Sequence, residues 1–285
     1  METILLNNGK TLPLEGFGVF QIADQTLCQQ AVLEALQEGY RLIDTAASYF
    51  NEEAVGRALR TSGLPRDEVF VTTKVWVQDF GEVKTREAVL RSLEKLGLEY
   101  IDMVLLHQQM GDYYGAWRAL EALVQEGIIG TIGVSNFYPD RLIGLCQFTE
   151  VTPAVNQVET HVFHQQQAAH QYMKKYGVQH ESWGPFAEGR NDFFTNPVLN
   201  EIGQKYNKSA AQTALRFLLQ SDVVVIPKST HKERMEQNLD VFDFTLTEQE
   251  MQAIRQLDEG KSLFFSHYDP TTVEMITNMG KTRKV

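Results

Sequence analysis

The chain has 285 residues, 43% of them hydrophobic, and a formal net charge of −11. An acidic protein is repelled by nucleic acid and by anionic membrane surfaces, so we expect neither as a partner. Cys28 and Cys146 are the only cysteines, too few for a disulfide framework, and no apolar run is long enough for a signal peptide or a membrane span. These features predict a soluble cytoplasmic protein, and the length fits a single domain over residues 1–285.

Short apolar runs and helix-patterned stretches alternate along the chain. A β-hairpin is predicted first, around the turn Asn7-Asn8-Gly9-Lys10, because asparagine and glycine tolerate positive φ. Eight strands are then predicted at 16–19, 41–44, 69–74, 101–107, 130–135, 154–159, 178–183 and 223–227. Helices are predicted between them at 27–39, 52–60, 85–96, 115–125, 139–148, 165–175, 196–206 and 209–219.

This alternation predicts the fold class. Short apolar strands separated by helices indicate a parallel sheet covered by helices, and eight such units indicate closure into a (β/α)8 TIM barrel. Residues 264–285 show no clear periodicity and contain Asp269-Pro270 and Gly280. We therefore expect them to form a C-terminal loop packed over the end of the barrel that carries the active site.

Four polar residues lie at or just after the ends of predicted strands: Asp44, Tyr49, Lys74 and His107. In a β/α barrel the carboxyl ends of the strands converge on one rim, so these side chains are expected to face one pocket. Asp44 and Lys74 are expected to pair, and the ammonium is expected to lower the pKa of Tyr49 and make it a better acid. With His107 donating a hydrogen bond to the substrate, the set suits proton delivery to a carbonyl oxygen.

Proton delivery moves no electrons, so such a site needs a cofactor. Neither a Gly-x-Gly-x-x-Gly turn nor a Walker loop is present. Strand eight instead leads into a basic, hydroxyl-rich segment that is predicted to begin a helix and to bind an anion, the alternative being a solvated capping turn. Its residues are Lys228, Ser229, Thr230, Lys232 and Arg234. Further strand ends carry Ser135, Asn136 and Gln157, suited to an amide such as nicotinamide, and Trp183, suited to stacking on its ring.

These motifs, in this order and spacing, make the chain resemble the aldo-keto reductases along nearly its whole length. The matching stretches are Gly16-Phe17-Gly18, Leu42-Ile43-Asp44-Thr45-Ala46-Ala47-Ser48-Tyr49, Thr73-Lys74-Val75-Trp76, Leu105-Leu106-His107, Gly133-Val134-Ser135-Asn136-Phe137, Pro153-Ala154-Val155-Asn156-Gln157 and Ile226-Pro227-Lys228-Ser229. The segment Glu181-Ser182-Trp183-Gly184-Pro185 resembles the corresponding segment in the bacterial branch of the family that includes diketogluconate reductases.

The resemblance implies an NADPH-dependent oxidoreductase that reduces aldehydes or ketones to alcohols, with NADPH bound in extended form on a barrel. It implies that Tyr49 is the proton donor, surrounded by Lys74, Asp44 and His107. The implied cofactor contacts are Ser135, Asn136 and Gln157 to the nicotinamide amide, Trp183 stacked on the ring, Lys228, Ser229 and Arg234 to the 2′-phosphate, and Gln237 and Asn238 to adenine.

The chain departs from the family pattern after His107, where the family usually has an aromatic residue and proline but this chain has Gln108-Gln109. The hydride chemistry is expected to survive this departure, which bears on the substrate pocket instead. The substrate is expected to be a small carbonyl compound. The predicted walls of the pocket are Phe20, Trp76, Gln108, Phe265 and His267.

Two other functions are compatible with parts of the pattern: a nicotinamide-binding sensor or regulatory subunit, and a metal-dependent barrel hydrolase. His161, His164 and His170 lack the helix context of a metal site, so no metal is expected. The protein is expected to be a monomer or a weak homo-oligomer.

Overall fold

The computed structural model describes residues 2–282. The strands are β1 Thr3–Leu5, β2 Thr11–Pro13, β3 Phe17–Gly18, β4 Leu42–Asp44, β5 Phe70–Val75, β6 Ile101–Leu106, β7 Ile129–Ser135, β8 Val155–Glu159, β9 Gln179–Trp183 and β10 Val224–Ile226. The helices are α1 Gln25–Glu38, α2 Glu52–Thr61, α3 Glu82–Leu96, α4 Tyr113–Gln125, α5 Pro139–Phe148, α6 Gln167–Tyr176, α7 Pro197–Gln204, α8 Ala210–Gln220, α9 Lys232–Leu239, α10 Glu248–Arg255 and α11 Pro270–Thr282. Within residues 2–282, every helix is too short or too polar to cross a membrane.

Strands β3 to β10 form one parallel sheet in which the strands lie in chain order. The sheet closes on itself, because the Gly16 amide donates to the Val225 carbonyl oxygen at 2.9 Å and the Gly18 amide donates to that of Pro227 at 3.0 Å. The predicted (β/α)8 barrel is confirmed.

The predicted hairpin is also confirmed, as β1 and β2 pair antiparallel. Leu6 and Leu12 of this hairpin are buried in one cluster with side chains of the barrel strands, including Leu42, Met103 and Val224. Since alternate strand residues face the inside of a barrel, this cluster is the lower layer of the interior, and the hairpin covers it.

The prediction of a C-terminal loop is correct only as far as residue 269. Residues 260–269 cross the carboxyl end of the barrel, but Pro270–Thr282 is helix α11. Proline suits the first turn of a helix, and the Asp269 carboxylate accepts hydrogen bonds from the Thr271 amide at 3.0 Å and the Thr272 hydroxyl at 3.1 Å. Ile276 of the helix is buried. Residues 283–285 of the predicted loop lie outside the described residues.

Helix α10 was also not predicted. Its signal is a capping box, in which Thr247 and Glu250 each bind the other's backbone amide.

Candidate active site

Lys74 lies at the centre of the polar residues inside the barrel. Its side chain is fully buried, and its Nζ is 2.6 Å from Asp44 Oδ1 on the neighbouring strand β4. The same ammonium donates to the Thr45 carbonyl oxygen at 2.9 Å and lies 3.4 Å from the Tyr49 hydroxyl oxygen. Burial alone would lower the pKa of Lys74, but Asp44 and Tyr49 hold it above its ordinary value, so the side chain stays an ammonium. The expected pair of Asp44 and Lys74 therefore forms.

Tyr49 ends a short 3-10 turn, Ala47–Tyr49, that follows β4 directly. Its ring packs against Phe20 with the centroids 4.9 Å apart. Burial raises the pKa of Tyr49, and although Lys74 opposes this, the pKa stays above its ordinary value. The expectation of a lowered pKa is therefore wrong for the net shift, because removing the phenol from water outweighs the neighbouring ammonium.

His107 follows β6 and is buried between aromatic rings. Its ring meets Tyr49 edge-on at 5.7 Å and Trp76 at 5.0 Å between centroids. Burial, and secondly the charge of Lys74, hold the pKa of His107 well below its usual range, so the imidazole is neutral. Its Nδ1 lies 3.4 Å from the Ser48 hydroxyl. If that hydroxyl donates to Nδ1, Nε2 carries the proton and is the nitrogen that can donate to a substrate oxygen.

Ser135, Asn136 and Trp183 form a hydrogen-bonded group beside His107. Asn136 Nδ2 donates to the His107 carbonyl oxygen at 3.0 Å and lies 3.1 Å from Ser135 Oγ, and Trp183 Nε1 donates to Asn136 Oδ1 at 2.8 Å. Asn136 adopts a φ of 61°, a left-handed conformation that asparagine tolerates better than most residues. Ser135 also donates to the Gln157 carbonyl oxygen at 2.9 Å, so the structure brings together the predicted nicotinamide contacts.

Glu181 belongs to this polar group and was not predicted as a site residue. The Gln157 Nε2 donates both to Asp44 Oδ2 at 2.8 Å and to Glu181 Oε1 at 2.6 Å. Burial, and secondly the nearby Asp44 carboxylate, raise the pKa of Glu181 to about 8. A signal was present in the sequence, because Glu181 precedes Trp183 by two residues on one strand and therefore faces the same side.

The predicted anion-binding residues surround the start of α9, but they differ in exposure. Lys228, Arg234 and Gln237 are exposed, whereas Ser229 is buried and its hydroxyl accepts from the His231 amide at 3.0 Å. Lys232 forms an ion pair with Glu38 of α1 at 3.0 Å, so it is directed away from this group.

Asn238, the predicted adenine contact, is buried beside the Tyr40 side chain. The Tyr40 hydroxyl also lies 3.2 Å from the Glu15 carboxyl group. Asn238 is thus fixed in the layer between the barrel and its helices.

The C-terminal segment supplies one side of the predicted substrate pocket. The Glu159 carboxylate accepts from the Ser262 hydroxyl and from the Leu263 amide, which holds the segment to the end of β8. Beyond this anchor, Phe265 stacks on Trp183 at 5.8 Å between centroids, with 14° between the ring planes. His267 Nε2 lies 2.8 Å from Gln108 Oε1, so two of the predicted walls bind each other.

Two of the three histidines considered for metal binding have other partners, and His164 Nδ1 is buried without a hydrogen-bond partner among residues 2–282. His161 Nε2 lies 3.0 Å from Glu159 Oε1, and His170 pairs with His180 at 3.0 Å between the Nδ1 atoms. Across residues 2–282, no group of three or more His, Cys, Asp or Glu side chains is arranged to hold a metal ion.

A buried Lys–Asp pair lies beside a tyrosine and a neutral histidine at the carboxyl end of a (β/α)8 barrel, an arrangement suited to proton transfer. Residues 16–259 match the model of the aldo/keto reductase family. The chain is 42% identical to methylglyoxal reductase DkgA of Escherichia coli, over 91% of this chain and 94% of that protein. It is 43% identical to glyoxal reductase of Bacillus subtilis, over 90% of this chain and 93% of that protein. The solved structure of a Bombyx mori aldo-keto reductase in complex with NADP superposes with a TM-score of 0.89 at 32% identity, covering 96% of each chain.

The chain belongs to the aldo/keto reductase family. It is an NADP-dependent oxidoreductase that reduces carbonyl compounds. The comparisons give no support to the sensor alternative.

Proposed function

We propose that Tyr49 donates the proton to the substrate carbonyl oxygen, that Lys74 and Asp44 hold and polarise its hydroxyl, and that neutral His107 orients the oxygen. The observation that carries this proposal is the position of Lys74 Nζ, which lies 2.6 Å from Asp44 Oδ1 and 3.4 Å from the Tyr49 hydroxyl. When NADPH is bound, it supplies the hydride that the carbonyl carbon receives. The ammonium lowers the cost of the negative charge that develops on Tyr49 as its proton leaves.

The residues that would hold NADPH fit its chemistry at two separate places. The first place is inside the barrel, near Lys74. There the buried side chains of Ser135, Asn136 and Gln157 offer donors and acceptors for a carboxamide, and Trp183 offers an aromatic face. At the start of α9, exposed Lys228 and Arg234 with Ser229 would bind the 2′-phosphate, and Gln237 and Asn238 would contact the adenine.

Tyr49→Phe tests the assignment of the acid, because it keeps the ring and removes the transferable proton. We expect kcat for aldehyde reduction to fall by roughly two to four decades, as for a lost general acid, with NADPH affinity nearly unchanged. Tyr172→Phe is the matched control, since Tyr172 is 42% exposed on α6. Full turnover by the Tyr49 variant would remove this mechanism.

For the substrate, we propose small aldehydes and dicarbonyl compounds. The support is the likeness to methylglyoxal and glyoxal reductases, together with a site bordered by aromatic rings and crossed by the C-terminal segment. A substrate panel at saturating NADPH tests this. Higher kcat/KM for bulky ketones than for glyoxals would contradict it.

We further propose that the protein works in the cytoplasm as one domain, as a monomer or weak homo-oligomer, and without a nucleic-acid partner. The support is the net charge of −11 and the two cysteines, Cys28 and Cys146, which are both free thiols. Sedimentation over a range of concentrations would test the oligomeric state.

A further inference from the structure

Glu181 is the second carboxyl group inside the barrel, and none of the roles proposed for the site residues uses it. It lies on β9 and is completely buried. Its Oε2 is buried without a hydrogen-bond partner among the described residues, while Oε1 accepts from the Gln157 amide at 2.6 Å. A buried carboxyl oxygen without a hydrogen-bond partner lowers the stability of the fold. Its presence therefore calls for a functional explanation.

The Gln157 amide connects Glu181 to the proposed proton donor. Its single Nε2 donates at once to Glu181 Oε1 and to Asp44 Oδ2, and the other oxygen of Asp44 binds Lys74 at 2.6 Å. A continuous chain of contacts therefore runs from Glu181 through Gln157, Asp44 and Lys74 to Tyr49.

The charges inside the barrel explain why the protonation of Glu181 matters. Asp44 and Lys74 face it from across the barrel, Gln157 lies beside it on β8, and its register partner on β10 is the uncharged Val224. With Glu181 protonated, one carboxylate balances one ammonium. With Glu181 ionised, two carboxylates face a single ammonium in a medium of low dielectric constant.

We propose that Glu181 is a positioning residue of this reductase, which orients Asp44 through the shared Gln157 amide and whose ionisation sets the alkaline limit of carbonyl reduction. This inference rests on the proposed role of Tyr49 as the proton donor. An ionised Glu181 adds negative charge beside Lys74 and weakens the bias of Tyr49 toward giving up its proton. Since the pKa of Glu181 lies at about 8, reduction should be fastest below that pH and slower above it.

The test is the pH profile of kcat and kcat/KM for reduction of one aldehyde at saturating NADPH. For the parent we expect a plateau below the pKa of Glu181 and a fall of about three- to tenfold across it, corresponding to a change of about half to one unit in the pKa of the donor. Glu181→Gln keeps a neutral group that still accepts from Gln157. This variant should retain the rate of the parent's plateau within about twofold. Its rate should not fall as the pH rises through the pKa of Glu181 in the parent.

A matched control is Glu52→Gln. Glu52 is another buried carboxyl group with a raised pKa and an unpartnered oxygen, but it binds the Thr73 hydroxyl at 2.7 Å between the sheet and its helices. Its profile should overlay that of the parent. Glu181→Asp keeps an ionisable group but draws it back from Gln157, so its profile should show a step displaced in pH or changed in height, which separates titration from a simple loss of packing.

A Glu181→Gln profile that overlays the parent's, or one lowered equally at every pH, overturns the inference. If Glu181→Gln fails to fold, the Glu181→Asp profile decides, because a step at the parent's pH with unchanged height would contradict the role of Glu181. Failure of the proposed function is seen separately, as retained turnover in Tyr49→Phe.

Discussion

Leu42 and Asp44 lie two residues apart on β4 and face the same barrel interior, yet their surroundings are opposite. Leu42 belongs to the lower layer, an apolar cluster that the hairpin covers. Asp44 belongs to the upper layer, where it binds Lys74 and Gln157. One strand thus carries a buried apolar residue at its start and a residue proposed to serve the chemistry at its end, as expected for the two ends of a β/α barrel.

The difference shows what each layer requires. The lower layer gains stability from apolar area removed from water, and its shape matters more than its chemistry. The upper layer holds an ammonium and carboxyl groups away from water, which is tolerable only because each has partners. We expect substitutions in the lower layer to change stability alone, and substitutions in the upper layer to change chemistry as well as stability.

Lys74→Met should have the largest effect. Carbonyl reduction should fall at least about 100-fold, since Tyr49 loses the ammonium that favours loss of its proton. The free energy of unfolding should also fall, by up to about 3–5 kcal/mol, because Asp44 is left buried without its charge partner. Steady-state rates and urea unfolding measure the two effects.

The double variant Lys74→Met/Asp44→Asn separates these effects. Removing both charges should restore much of the stability without restoring the rate. Recovery of the rate in the double variant would show that Lys74 acts only as a structural partner of Asp44.

Leu12→Ala should break the lower layer alone. Leu12 is completely buried in the hairpin, so its truncation should cost about 2–5 kcal/mol of unfolding free energy while kcat changes little at temperatures where the variant stays folded. Leu5→Ala in the same hairpin is the control, because Leu5 is 70% exposed and its loss should cost less than about 0.5 kcal/mol. A large drop in kcat with Leu12→Ala would show that the two layers are coupled.

Arg234→Ala should have the smallest effect and extends the comparison to an exposed cation. Its loss should leave stability nearly unchanged and remove a charge-assisted hydrogen bond to the 2′-phosphate, worth roughly 1.5–3 kcal/mol, so NADPH should bind at least about tenfold more weakly. NADH lacks that phosphate and should be nearly unaffected. Titration of both cofactors by tryptophan fluorescence measures this, and equal losses would mean that Arg234 does not contact the phosphate.

The barrel and most of the site residues were predictable from sequence because their signals are local. Strands appear as short apolar runs, and a polar residue at the end of each run lies on the rim whatever the details of packing. The rim positions of Asp44, Lys74 and His107 follow from this rule, and their proposed roles come from the resemblance of the motifs to the family. The missed helices α10 and α11 also had local signals, in the capping box of Thr247 and the Asp269-Pro270 start.

What the sequence by itself determined is therefore the order of elements, the barrel, the family and the polar residues at the strand ends. Only the tertiary structure decided which partners those residues have. Gln157 meets Asp44 from 113 positions away in the chain, and Glu181 joins them through the same amide. The raised pKa of Tyr49 likewise depends on how far the fold removes the half-buried side chain from water. These contacts, and the removal of the side chains from water, depend on strands that closure of the barrel brings together. A local sequence pattern therefore cannot predict them.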